Sequence, residues 1–274
     1  MTGAAAARNR ALLDWYRSDG RRLPWRSTSD PWAILVSEVM LQQTQVTRVV
    51  PVYGRFLRRF PSPSSLADSE RGAIVAAWED LGYLRRVFHL QRAAAVIATD
   101  GWPPPGDLRS LPGVGPYTAA AVAAFAFGAH VPAIDVNLRR VLSRWAGSPL
   151  SGDDLAEAAH RALGDAPASD WNQAVMDLAA TTCRPTRPVC ESCPVERWCS
   201  DPDVSIPIRR QPAFEGSVRQ ARAAILRALA AEGTLHSRAI ADRLDLDPIR
   251  VERALERLAG EGLIHLDGEV VRLH

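Results

Sequence analysis

The chain has 274 residues, room for one large or two modest domains, and its 47% hydrophobic and 23% charged content is that of a globular chain, neither disordered nor fibrous. A formal net charge of +2 excludes gripping nucleic acid by bulk charge alone. All 33 basic residues are Arg, so there is no side-chain amine to form a Schiff base.

The first residues, Met1 to Arg10, have no apolar stretch behind a basic one, so no signal peptide is expected and the cytoplasm is the expected location. From about Arg8 to Leu108 the chain reads as several helices separated by loops such as Pro61-Ser62-Pro63-Ser64-Ser65 and Pro103-Pro104-Pro105-Gly106. Inside this stretch lies Ser37-Glu38-Val39-Met40-Leu41-Gln42-Gln43-Thr44-Gln45-Val46. It places one carboxyl, Glu38, on a helix among Val36, Val39, Met40 and Leu41, a setting that would raise its pKa. The plain alternative is a charged residue on a helix surface.

The second stretch, Leu111 to Gly147, opens with Leu111-Pro112-Gly113-Val114-Gly115-Pro116-Tyr117-Thr118. Two Gly around one apolar residue permit a tight turn with outward N–H groups, and Pro116 suits a first helical turn. Gly113, Val114 and Gly115 could thus receive one phosphate; read alone, they could equally be a loop between packed helices. The run Tyr117 to Ile134 is the most apolar in the chain, but it is Ala-rich and contains His130 and Pro132. A buried helix followed by a loop explains it better than a membrane span. Asp135 then stands before an amphipathic helix and, taken alone, is a helix N-cap.

The third stretch, Asp170 to Asp201, ends in all four Cys of the chain: Cys183, Cys190, Cys193 and Cys199, spaced C-x6-C-x2-C-x5-C. A disulfide pair does not suit a cytoplasmic chain. Structural zinc usually takes two close pairs, and here only Cys190 and Cys193 are close, so spacing favours a [4Fe–4S] cluster over zinc. Arg184, Arg187 and Arg197 add positive charge to the same loop.

A linker of about Pro202 to Glu215 leads to the fourth stretch, Gly216 to His274. Helices are expected over Val218–Ala231, His236–Leu246 and Pro248–Leu263, followed by two strands around Asp267-Gly268. The pattern is that of a small winged helix-turn-helix. Its third helix mixes Arg250, Glu252, Arg253, Glu256 and Arg257, so a packing role stands beside groove reading.

Taken together, the Leu111–Thr118 turn, the Asp about twenty residues later, the Cys cluster and the Ser37–Val46 segment resemble the helix-hairpin-helix DNA glycosylase superfamily that includes endonuclease III, over roughly Asp14 to Cys199. Within it the motifs look most like adenine DNA glycosylases. The resemblance implies an all-α glycosylase domain (8–201) of two subdomains with an iron–sulfur loop (183–199), plus a small α+β winged-helix-like module (216–274). It implies a base-excision repair enzyme acting as a monomer on double-stranded DNA, hydrolysing the N-glycosidic bond of adenine mispaired with guanine or 8-oxoguanine. Endonuclease III-like enzymes place a Lys where this chain has Tyr117; its absence implies a monofunctional glycosylase that leaves the abasic strand intact. Glu38 matches the family's general acid and Asp135 its catalytic aspartate, with Tyr117 and Asn137 ordering the aspartate. Trp25, Arg26, Leu41 and Asp177 match base-recognition positions, although Trp25 also reads as core and Arg26 as surface. Gln43 and Tyr83 match residues that enter the base stack when the adenine is flipped out.

Three departures stand out. Leu81-Gly82-Tyr83-Leu84-Arg85-Arg86-Val87-Phe88-His89-Leu90 drops a second Tyr and an Asn found in many relatives, Val136 replaces a frequent Gly, and the C-terminal module replaces the domain that senses 8-oxoguanine. The competing readings are a thymine or uracil mismatch glycosylase of the same superfamily and a DNA-binding iron–sulfur redox regulator.

Overall fold

A computed structural model describes residues 3–207 and 212–273; part of the expected linker, 208–211, lies outside the described residues. Residues 3–38, 103–110 and 114–207 form one compact unit, and residues 39–102, 111–113 and 212–273 form a second.

The first unit is helical. It contains α1 (Gly3–Asp19), most of α2 (Pro31–Leu41), α7 (Pro116–Phe127), α8 (Val136–Ala146), α9 (Gly152–Leu163) and α10 (Ala168–Thr181). Asp30 starts α2: its carboxylate accepts from the Trp32 amide at 3.2 Å and the Ala33 amide at 3.1 Å, and Pro31 takes the first helical position. From Trp32 to Met40 every residue of α2 is buried, as an apolar run with no polar face requires. Helices α1, α7 and α8 pack on α10, and Leu12, Leu138, Val141, Trp171, Val175 and Leu178 fill the core. Two of the core's polar side chains are partnered: Trp171 Nε1 donates to Asn9 Oδ1 at 3.2 Å, and Asn9 Nδ2 donates to the Ala162 and Leu163 carbonyls. The expected helix and loop between Tyr117 and Ile134 are present, with Gly128 (φ +67) ending α7. Among the described residues no helix is long and apolar enough to cross a membrane.

The second unit holds α3 (Val46–Arg59), α4 (Pro63–Ala67), α5 (Arg71–Trp78) and α6 (Arg85–Asp100), around an edge-to-face cluster of Phe56 with Phe60 and Trp78. It also holds the C-terminal module: α11 (Val218–Glu232), β1 (Thr234–His236), α12 (Ile240–Arg243), α13 (Pro248–Gly260), β2 (Ile264–Asp267) and β3 (Val270–Leu273). The Asp-Gly hairpin forms as expected, β2 pairing antiparallel with β3 from Ile264↔Leu273 to Asp267↔Val270. The helix expected from His236 is shorter, because His236 ends a strand that pairs with the free edge of β3 and the following Ser237 amide donates to the Glu269 carbonyl at 2.8 Å. The third helix stops at Gly260 rather than Leu263, closed by Gly262 (φ +64) and by the Leu263 amide returning to the Leu258 carbonyl at 2.9 Å.

Helix α11 lies directly on α5. A Cβ added at Gly72 would sit 3.3 Å from the Ala230 carbonyl. Gly72→Leu is expected to push α11 off α5 and lower stability by about 1–3 kcal/mol, seen as a lower urea midpoint at unchanged slope.

Candidate active site

Glu38 sits in the buried part of α2 with 4% of its surface exposed, so the surface alternative does not hold. One of its carboxyl oxygens, Oε2, has no hydrogen-bond partner. Burial pushes its pKa up to about 7; the hydrogen bond with Tyr117 opposes the rise, the nearby Asp135 adds to it, and the Arg26 charge opposes it. Tyr117, on the first turn of α7, is itself pushed well up by burial and by the two carboxyls, and its hydroxyl lies 3.7 Å from Met176 Sδ. It therefore stays a neutral donor between Glu38 and Asp135.

Asp135 is in a different setting. It caps α8: Oδ1 accepts from the Asn137 amide at 2.9 Å and the Leu138 amide at 2.7 Å, and Oδ2 accepts from Asn137 Nδ2 at 2.7 Å. Three donors at a helix N-terminus fix the orientation of this carboxyl. The N-cap reading of Asp135 is thus the one the geometry shows. The loop before it is pinned by buried Asn172, which accepts from the Ala133 amide at 2.8 Å and donates to the Val131 carbonyl at 2.9 Å. The same unit therefore brings Glu38, Tyr117, Asp135 and Asn137 together.

Asp177 is buried and its two oxygens are shared by two arginines. Arg26 reaches both at 2.7 Å, Arg21 Nε reaches Oδ1 at 2.7 Å, and the Arg21 amide reaches Oδ2 at 2.8 Å. Burial pushes the Asp177 carboxyl up, but the Arg26 hydrogen bond and the charges of Arg26 and Arg21 outweigh it, and the net shift is down. Arg26 is thus an ion-paired residue, not a surface one, and Trp25 is buried beside it. Arg21 was not visible as a site residue in the sequence, because its partner is 156 positions away.

Leu41, Gln43 and Tyr83 lie in the second unit. Leu41 ends α2 half-buried, whereas Gln43 (φ 56) and Tyr83 (φ 49) both adopt the left-handed backbone that non-glycine residues avoid. Arg86 holds this arrangement. Its Nη1 donates to the carbonyls of Val39 and Met40 at 3.0 Å and to that of Gln42, and its Nη2 donates to Thr44 Oγ1 at 3.0 Å and to the Leu81 and Gly82 carbonyls at 3.3 Å. One guanidinium thus ties the segments carrying Gln43 and Tyr83, a role that Arg85-Arg86 in the sequence does not announce.

In the glycine turn, Gly113 has φ +80 and a Cβ there would lie 2.5 Å from His89 Cβ, so only glycine fits. Val114 is buried, and Gly115 precedes Pro116 at the start of α7.

The four cysteines are free thiols that line, with Arg144 and Leu178, a cavity of about 270 Å³. Among the described residues no three His, Cys, Asp or Glu converge as for a single metal ion. Four thiols around one cavity are the donor type that an iron–sulfur group takes. Helix α8 faces this loop: Arg144 Nη1 lies 3.2 Å from Cys183 Sγ, while Arg140 donates to the Cys183 carbonyl at 2.9 Å and to Asn137 Oδ1 at 3.1 Å.

Residues 36–163 match the HhH-GPD superfamily base excision DNA repair protein family, and residues 220–265 match a winged helix-turn-helix DNA-binding family. The chain is 38% identical to the adenine DNA glycosylase of Mycobacterium tuberculosis, over 96% of this chain and 92% of that one. It is 40% identical to that of Mycolicibacterium smegmatis, over 92% and 91%. Among solved structures it resembles a thermostable thymine-DNA glycosylase (TM-score 0.68, 30% identity, 72% of this chain and 95% of that one). An endonuclease III trapped in covalent complex with DNA matches in fold (TM-score 0.62, 20% identity, 74% and 98%). The chain belongs to the HhH-GPD superfamily of base excision DNA repair proteins and, within it, to the adenine DNA glycosylase family. It is a DNA glycosylase.

The raised pKa has a consequence for stability. Between the ordinary value of 4.5 and about 7, the folded chain keeps a proton on Glu38 that the unfolded chain has released, so stability is lost as pH rises through that window. Glu38→Gln has no such charge to bury. Its melting temperature is expected to match the parent near pH 4 and to exceed it at pH 8, with a gain on the order of 3 kcal/mol.

Proposed function

We propose that the chain releases adenine mispaired with guanine or 8-oxoguanine from double-stranded DNA, as a monofunctional glycosylase. The observation that carries this reading is the pair of carboxyls in opposite environments: Glu38 buried with a raised pKa, and Asp135 capped by three donors at a helix N-terminus. The names of the mycobacterial relatives support the same substrate. Adenine leaves poorly until a ring nitrogen is protonated, and Glu38 holds a proton near neutral pH. As the bond from the sugar to the base breaks, the sugar becomes cationic and the Asp135 carboxylate offsets that charge. Water then adds to the anomeric carbon, and its released proton restores Glu38. Tyr117 and Asn137 hold the two carboxyls in place. A glycosylase for thymine or uracil does not need the proton that Glu38 supplies, which favours adenine over that second reading.

Tyr117 stands where a lyase would have Lys, and no Lys exists elsewhere in the chain, so no side-chain amine is present to cleave the strand through an imine. Gly113, Val114 and Gly115, at the start of α7, bind a DNA phosphate. Gln43 and Tyr83 of the second unit enter the base stack; Trp25 and the Arg26–Asp177 pair of the first unit are assigned to base recognition, as is Leu41 of the second. Cys183, Cys190, Cys193 and Cys199 hold a [4Fe–4S] cluster. When bound, the cluster supplies four iron–thiolate bonds that cross-link the 183–199 loop; bond breaking at the sugar is left to Glu38 and Asp135. The protein acts as a monomer in the cytoplasm.

Duplexes with one A opposite G, A opposite 8-oxoguanine, T opposite G or U opposite G test this reading. Adenine release revealed only after alkali is expected, with Glu38→Gln and Asp135→Asn each at least about 100-fold slower. Release of T or U without A would remove the substrate assignment, and strand breaks before alkali would remove the monofunctional one.

A further inference from the structure

The C-terminal module matches a DNA-binding family, yet the end that would enter a groove carries the wrong charge. In a helix-turn-helix the start of the second helix meets the bases. Here that start is α13, and the turn before it exposes Asp242, Asp245 and Asp247. The cations nearby are engaged: Arg243 pairs with Glu232 at 2.6 Å and Arg250 with Asp247 at 3.7 Å. Along the exposed face of α13, Glu252 and Glu256 alternate with Arg253 and Arg257. The hairpin turn adds Asp267, while its Glu269 pairs with Arg238 at 2.5 Å and lies 3.3 Å from His236, so this end has no excess of either sign. Such a surface offers a phosphate backbone no net attraction.

What the module does touch is the rest of its own unit. Gly72 lets α5 approach Ala230 closely, and Arg71 Nη1 donates to the Gly262 carbonyl at 3.3 Å. Glu261 pairs with Arg222 of α11 at 2.5 Å and with Arg85 of α6 at 4.0 Å. Arg85 in turn donates to His89, the residue packed on Gly113. At the start of α11, Arg219 is held by the Pro212 and Ala213 carbonyls and donates to the Tyr83 hydroxyl at 3.4 Å. The Tyr83 ring also has the Arg86 guanidinium over it, 5.1 Å from its centroid.

We propose that the C-terminal module is an internal brace, which positions the Tyr83 ring through Arg219, and not a second reader of DNA. The proposal rests on the assignment of Tyr83 to the DNA grip made above. It makes Arg219 a positioning residue for excision.

The test uses the full chain and a duplex with A opposite G, with 2-aminopurine beside the mismatch to report unstacking. Arg219→Ala is expected to keep the parent melting temperature, to weaken mismatch binding about threefold to tenfold and to lower the 2-aminopurine signal. In a Tyr83→Phe background the same change should add nothing, because the acceptor is already gone. Arg253→Ala with Arg257→Ala should leave the salt dependence of binding unchanged. Additive losses for Arg219→Ala and Tyr83→Phe would overturn the brace. So would a fall of about two in the salt slope for the α13 variant, which would restore a groove-reading role. Tyr83→Ala separates the two layers. If it loses excision while Arg219→Ala does not, the brace alone fails; if it keeps full excision, the assignment of Tyr83 fails first and takes the brace with it.

Discussion

A carboxyl on a helix that has no solvent face is costly to ionise, and the active site is organised around that cost. Helix α2 is buried on all sides from Trp32 to Met40, and Glu38 has no exit from it. Tyr117 gives it one hydrogen bond, while Asp135 supplies a like charge nearby. The other carboxyl accepts three hydrogen bonds, from two amides at the N-terminus of α8 and from the Asn137 side chain. The two carboxyls thus differ in setting by fold position and not by residue type. The Arg21–Asp177–Arg26 group belongs to the same logic: two guanidiniums share one buried carboxylate, and the Arg26 charge opposes the rise at Glu38 without cancelling it.

Much of this was legible in the sequence. The apolar neighbours of Glu38 predicted its burial, because a helix with Val, Met and Leu on every side has no surface to offer. Asp135 and Asn137 are two apart at a helix start, a local relation that spacing reports well. The winged-helix module was legible from helical periodicity and the Asp267-Gly268 turn, though β1 was not. Three residues that pair only with a strand formed later in the chain carry no pattern of their own.

The less legible features are long-range arginine contacts. Arg21 with Asp177, Arg86 with the carbonyls of 39–42, Arg140 between Asn137 and Cys183, and Arg219 with Tyr83 join positions far apart in the chain. In a chain whose every basic residue is Arg, no single Arg stands out by type. Only the fold decides which ones are spent inside. Each of these guanidiniums satisfies several carbonyls or a carboxylate in one plane, which a Lys ammonium does not do as well. The mixed charge of the module's third helix is local and legible in the sequence, whereas the bond from Arg219 of α11 to Tyr83 depends on the fold.

The most direct measurement is the single-turnover rate of adenine release between pH 5 and 9 with saturating enzyme. If Glu38 must be protonated for the base to leave, the rate falls on the alkaline side with a midpoint near its pKa of about 7, and that fall is absent from the slow residual rate of Glu38→Gln. A parent rate that stays level from pH 6 to 9 would contradict the assignment of Glu38 as the acid.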